Sequence, residues 1–198
     1  MTYELRNRFM NCVEGYSGFQ IKKHGEYDVA LIKFEGFIRL LCDAFPIFPS
    51  ETSRLQQGRI LCRLGYPFPE FTNFEYAKNS DEIKWNDTGQ KGTPLFPIEG
   101  MLTRFVKDNQ ENRFAFELST PGLRGQSGGP AFDTEGKVWG MQFQTAHLDL
   151  NFDVDQEVLR QGIKKRVTDS AFLHVGRCIH VDVLKSFMHD NNVLFAED

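Results

Sequence analysis

The chain has 198 residues, 40% of them hydrophobic and 25% charged, the make-up of an ordinary globular protein with enough chain for one or two cores. Its apolar runs, such as Val29 to Ile32, fall far short of the roughly 18 residues a membrane helix needs. Abundant Phe, 19 residues, argues against disorder, and a net charge of −4 gives no electrostatic case for nucleic acid or an anionic membrane as partner.

The opening Met-Thr-Tyr-Glu-Leu-Arg has no apolar core of a signal peptide. Cys12, Cys42, Cys62 and Cys178 are widely spaced with no C-x-x-C pair, which speaks against zinc; free thiols packed as small hydrophobes are expected, with two disulfides in an oxidising compartment as the alternative.

Taken in chain order, the elements are mostly strands. Tyr16 to Lys23 and Tyr27 to Glu35 are rich in aromatic and β-branched residues, and Gly25 marks the turn between them. Pro46 to Ser53 reads as a loop, Gly58 to Leu64 as a strand ending on Gly65-Tyr66-Pro67, and Pro67 to Asn73 as a boundary between two units. Ile98 to Val106 is the next strand. Arg113 to Ser119 follows, with Phe114, Phe116 and Leu118 alternating against Ala115, Glu117 and Ser119. Pro130 to Asp133 and Val138 to Thr145 flank a hairpin turn at Thr134-Glu135-Gly136-Lys137, and Phe172 to Val181 is the last strand. Val183, Leu184, Phe187 and Met188 share one face of a terminal helix, with Asp182 placed to cap it. The expectation is an all-β protein with a C-terminal helix.

Gly125-Gln126-Ser127-Gly128-Gly129-Pro130 is the informative segment. At average residue usage such a string arises by accident in roughly one in several thousand chains of this length. Glycines around a nucleophilic Ser let backbone N–H groups turn toward a developing oxyanion, in a conformation that side chains obstruct. The segment resembles the nucleophile motif of trypsin-like (chymotrypsin-fold) serine peptidases. Tyr27-Asp28-Val29-Ala30-Leu31-Ile32-Lys33 is similar to the family's Asp segment. Gly65-Tyr66-Pro67 is similar to the end of the first barrel in many bacterial members, and Gly136 to Met141 to the strand after the nucleophile. Cys178-Ile179-His180-Val181 and the helix after it resemble the family's ending.

The resemblance implies two six-stranded Greek-key β-barrels, the first incomplete, with a C-terminal helix. Residues 1–70 are then a partial first barrel, 71–181 a second barrel carrying the nucleophile, and 182–198 the helix and tail. It implies Ser127 as nucleophile, Asp28 as the carboxylate that orients a base, and the N–H groups of Gly125 and Ser127 as oxyanion hole. It further implies a peptide or protein substrate, no cofactor, and a substrate-binding surface at Pro121, Gln142, Phe143, Gln144 and Thr145. Pro121, six residues before Ser127, is no Asp, so a preference for Arg or Lys is not expected. Gln126 stands where many animal members have the Asp that pairs with a new N-terminus after zymogen cleavage, so that activation is not expected either.

A base is missing. In the family the triad His precedes the Asp by some tens of residues, and here the single His before Asp28 is His24, four residues away. That spacing along an extended chain does not naturally direct both side chains to one Ser, so His24 is a weak candidate. His147, His174, His180 and His189 all lie downstream of Ser127, in positions that suit packing or surface. Two explanations stand: an N-terminally shortened peptidase whose His lies before Met1, or a natural pseudo-peptidase. Loss of a triad base costs several orders of magnitude in rate, so the chain is expected to be inactive or nearly so.

Asp149 to Asp155 places oxygen donors at alternate positions, as a calcium loop does, but the sixth position is Val154 and the twelfth Arg160. A strand or exposed loop is the simpler reading, and no metal is expected.

Overall fold

The computed structural model describes residues 13–42, 44–68, 70, 72–90, 92 and 94–198. Cys12, and Pro69 and Phe71 of the expected boundary loop, lie outside the described residues. The elements run β1 (Val13–Glu14), β2 (Gly18–Lys23), β3 (Ala30–Glu35), β4 (Arg39–Leu40), β5 (Ile47–Phe48), β6 (Ile60–Arg63), β7 (Phe74–Ala77), β8 (Glu82–Trp85), β9 (Ile98–Lys107), β10 (Arg113–Leu118), β11 (Pro130–Phe132), β12 (Val138–Arg160), β13 (Ile163–His180), α1 (Val181–Asp190) and β14 (Ala196–Glu197). The chain is mostly β with one C-terminal helix.

Six strands close a barrel in the order β10-β13-β12-β11-β6-β9. Every neighbouring pair is antiparallel. The period-two alternation of β10 explains its place: Phe116 and Leu118 point inward, fully buried, with Leu61, Leu102, Ala131, Trp139, Cys178 and Val181. The strand at Ile60–Arg63, grouped by its sequence with residues 1–70, is a stave of this barrel between β9 and β11. Its pairing partners come from the second half of the chain, and local pattern carries no information about partners. The unit that holds Ser127 therefore takes in residues 60–63.

Among the described residues, the N-terminal strands form two-stranded sheets. β2 pairs with β3 in the register Phe19↔Phe34, Ile21↔Ile32, and β1 pairs with β4. The strands expected at Tyr16 to Lys23 and Tyr27 to Glu35 are present but shorter, as β2 and β3, and the link between them is six residues long and carries Asp28. β7 and β8 form a hairpin that the alternation did not announce.

β12 and β13 extend far beyond the barrel as a two-stranded ribbon, so the segment from Asp149 to Ser170 is strand throughout except for its tip. Its carboxylates are spent across the ribbon: Asp155 accepts from Thr168 Oγ1 at 2.5 Å and Asp153 from Ser170 Oγ at 3.1 Å. The ladder shifts between Asp149 and Asp153, where Asn151 has a φ of 57°.

The helix buries Val181, Leu184 and Phe187 on the barrel. Its cap differs from the expected one. His180 Nδ1 accepts from the Asp182 N–H at 3.2 Å, and Asp182 sits in the first turn, where its charge favours the helix N-terminus.

Two buried carboxylates join strands. Glu117 faces Arg104 on one side and Arg177 on the other in the ladder. It accepts from Arg104 Nη2 at 3.1 Å and Arg177 Nε at 2.8 Å. Asp133 accepts from the Trp139 indole at 2.7 Å, from Arg59 at 2.6 Å, and from the N–H groups of Glu135 and Lys137. Arg59 also lies over the Trp139 ring, 4.4 Å from its centroid. Burial opposes ionisation of both carboxyls, and these hydrogen bonds and neighbouring guanidinium charges outweigh it, holding both below their ordinary values.

Truncating Phe116 to Ala removes a ring from the centre of the barrel and is expected to cost about 3–5 kcal/mol of stability, read from urea unfolding. A second expectation concerns acid. Because both carboxyls titrate below their unfolded values of about 3.9 and 4.3, their contribution is complete above those values and is lost as pH falls through the folded ones. Stability should hold from pH 7 to about 5 and decline below about 4. In Asp133→Asn it should be lower at pH 7 with a shallower acid decline.

Candidate functional site

The loop carrying Ser127 is held by backbone contacts on both sides. On one side Tyr66 N–H donates to Gly125 carbonyl at 3.0 Å, and Leu64 N–H to Pro130 carbonyl at 3.4 Å. On the other, Gly128 N–H donates to Gln142 carbonyl at 2.8 Å and Gln142 N–H to Gly129 carbonyl at 2.9 Å. Gly125 has a φ of +91°, and a Cβ there would lie 2.4 Å from the Tyr66 carbonyl oxygen. At Gly129 a Cβ would lie 2.1 Å from the Leu64 carbonyl oxygen. These two glycines are therefore required by close approach. The Gly65-Tyr66-Pro67 segment thus forms the cradle of the serine loop.

Gln126 pins the loop from inside. Its side chain is fully buried, and its Oε1 accepts from Leu123 N–H at 3.0 Å while its own N–H donates to Leu123 carbonyl at 3.1 Å. In the sequence Gln126 reads only as a replaced Asp; its burial and its bond to Leu123 make it an anchor of the loop.

The backbone donors divide. Gln126, Gly128 and Gly129 N–H groups are all paired within the loop or to β12. The N–H groups of Gly125 and Ser127 donate to no acceptor among the described residues. Ser127 is exposed, and among the described residues its hydroxyl has no hydrogen bond.

Ser127 and Asp28 line one cleft of about 590 Å³, with Lys23, His24, Gly128, Gln142 and Phe143 among its other walls. Asp28 is exposed and among the described residues forms no ion pair or hydrogen bond. The turn that presents it is clamped to the barrel by aromatic contacts. Tyr27 stacks on Phe114 at 5.0 Å and its hydroxyl donates to Asp108 Oδ2 at 2.8 Å, while His24 meets Phe187 edge-on at 5.0 Å. The hydrogen bond to Asp108, helped by burial and by the Asp108 and Glu26 charges, pushes the Tyr27 phenol up to about 12, so the clamp keeps its proton at neutral pH.

His24 borders the cleft but is turned to another task. Its Nδ1 accepts from the N–H groups of Glu26 and Tyr27, each at 3.1 Å. The neutral ring therefore carries its proton on Nε2, the reverse of the tautomer a triad base uses. Elsewhere, His147 and His174 face each other across β12 and β13 with Nδ1 atoms 2.5 Å apart, His180 caps the helix, and His189 is in its last turn. None of these four lines the cleft.

Of the expected substrate wall, Gln142 and Phe143 line this cleft, whereas Pro121, Gln144 and Thr145 do not. Behind Gln142 lies a residue that sequence reasoning missed. Arg63, fully buried, donates from Nη1 to Gln142 Oε1 at 2.7 Å, and from Nη2 to Thr120 Oγ1 at 2.6 Å, Thr120 carbonyl at 2.9 Å and Pro121 carbonyl at 3.1 Å. Burial lowers its pKa from the ordinary value. The signal was present in β6, where Leu61 and Arg63 share the inward parity. Cys178, packed beside Gln142 with Sγ 3.6 Å from its Oε1, has its thiol pushed up to about 12 by burial and is inert. Among the described residues, no three His, Cys, Asp or Glu side chains converge as metal ligands.

The contrast between adjacent glycines is testable. Gly128 has a φ of +83° but open space at its Cβ position, so Gly128→Ala should cost about 1–2 kcal/mol from backbone conformation alone. Gly129→Ala should cost about 3 kcal/mol and displace the serine loop, both read by chemical denaturation. In comparisons with known proteins, this chain matches no family model, no curated protein and no solved structure.

Proposed function

We propose that this chain is a serine-type endopeptidase domain of the trypsin-like class, built to hydrolyse peptide bonds through an acyl-enzyme on Ser127. On this reading the closed barrel is the second of two Greek-key barrels, and the hairpins over residues 13–40 belong to a first barrel that is incomplete among the described residues. The observation that carries the proposal is the joint placement of Ser127 and Asp28 on one cleft, together with unspent N–H groups at Gly125 and Ser127. Ser127 Oγ would attack the scissile carbonyl, its oxygen would take the negative charge against those two donors, and Asp28 would support the imidazolium of a base.

The described residues supply no such base, because the Nδ1 of His24 is occupied by backbone donors. The chain by itself is therefore slow. A second reading follows from the same observation: a peptidase-like domain that binds peptides in this cleft without cleaving them.

A fluorophosphonate probe separates the two. The expected result is slow labelling of Ser127, seen by intact mass, that is accelerated by added imidazole, absent in Ser127→Ala and unchanged in His24→Ala. Imidazole fits the cleft and replaces the missing ring in the role of base. Peptide binding with no labelling under any of these conditions would favour the second reading, and loss of labelling in His24→Ala would make His24 the base.

A further inference from the structure

Arg63 is a buried cation without an anion. Its guanidinium is fully enclosed, all four of its hydrogen bonds go to neutral oxygens, and its Nε has no partner. Among the described residues no carboxylate pairs with it. Glu117, a buried acid of the barrel, is already shared between Arg104 and Arg177. A desolvated charge in a protein interior ordinarily has a counter-ion, and leaving one unpaired is costly.

The position of this charge relates it to the cleft. Its Nη1 bonds the side chain of Gln142, and Gln142 lines the cleft that holds Ser127 and receives the Gly128 N–H on its carbonyl. Its Nη2 holds Pro121 and Thr120, on the strand of chain that leads into the serine loop. The cation thus stands one side chain behind the wall beside Ser127. Asp28 and Lys23, the charged groups that line the cleft itself, offset one another.

We infer that Arg63 is a specificity-determining residue that makes this cleft select peptides bearing a carboxylate side chain, Glu or Asp, beside the bond presented to Ser127. The inference rests on the proposed peptide cleft and names its substrate class. The incoming carboxylate would supply the missing counter-charge across the buried Gln142 amide, whose Oε1 accepts from Arg63 and whose Nε2 donates to the Gln144 carbonyl at 2.6 Å, in a region of low dielectric.

Binding of fluorescent Ala-Ala-Pro-Xaa peptide amides, with Xaa as Glu, Gln, Leu, Lys or Ala, tests this by anisotropy. The amide cap leaves the Xaa side chain as the variable charge. The expected result is about tenfold tighter binding of the Glu peptide than of its isosteric Gln partner. Gln142→Glu places a carboxylate against Arg63 without changing shape, and should bring the Glu-to-Gln ratio to one or below while circular dichroism shows the fold intact. Arg63→Met should also bring the ratio to one. If that variant does not fold, Gln142→Glu decides alone. A ratio near one in the wild-type chain, or tightest binding of the Ala peptide, overturns the inference and leaves the proposed cleft standing. If no peptide binds and the fluorophosphonate leaves Ser127 unlabelled, the proposed function fails and this inference with it.

Discussion

Backbone lies directly on backbone where Leu64 to Pro67 crosses the loop from Gly125 to Gly129, with no room for a methyl group at Gly125 or Gly129. This contact ties β6 to the chain that enters β11, two neighbouring staves of the closed barrel. It takes up the carbonyls of Gly125 and Pro130, while the loop's own N–H groups at Gln126, Gly128 and Gly129 donate to the carbonyls of Leu123, Gln142 and Gln126. Leu64 and Tyr66 on one side and Gln142 on the other take up the available bonds of Gly125, Gly128, Gly129 and Pro130. The two donors left over alternate along the loop at Gly125 and Ser127. The oxyanion role proposed for the site depends on that alternation, because a donor already paired cannot serve an oxyanion.

Against this rigid side of the cleft stands a clamped but separate side. The turn bearing Asp28 belongs to the β2–β3 hairpin, which among the described residues shares no strand pairing with the barrel. Its docking is by side chains: Tyr27 on Phe114 and Asp108, and His24 on Phe187. Aromatic contacts of this kind contribute about 0.5–1.5 kcal/mol each beyond burial, less than a shared ladder does. The cleft is thus made of one wall locked by backbone geometry and one held by side-chain packing.

Much of the barrel was legible in the sequence, since alternation in Arg113 to Ser119 and the turn at Thr134 to Lys137 reflect local rules of strand geometry. The serine loop was legible because its glycines answer a steric demand that few other residues meet. What escaped reading is set by partners distant in the chain. The strand at 60–63 looks the same whichever barrel it joins. The ribbon beyond Asp149 is stabilised by cross-strand pairs such as Asp155 with Thr168, not by a buried face, so its composition resembles a loop. His24 was doubted on spacing, and the structure supplies a firmer reason, two backbone donors on one ring nitrogen. Arg63 reads as an ordinary charged residue until its burial among neutral oxygens is known.

The strands that shape the cleft wall do not stop there. β12 carries Gln142 and Phe143 and then continues, still paired with β13, to a tip near Gly162. Wall and outlying ribbon are one ladder, whose register slips between Gln142 and Gln144 and again between Asp149 and Asp153. The outer slip, at Asn151, is the natural fulcrum of a lever arm. Torque applied at the far end, by a crosslink or a bound macromolecule, is borne first by the fulcrum and only then passed inward to the strand that flanks the serine.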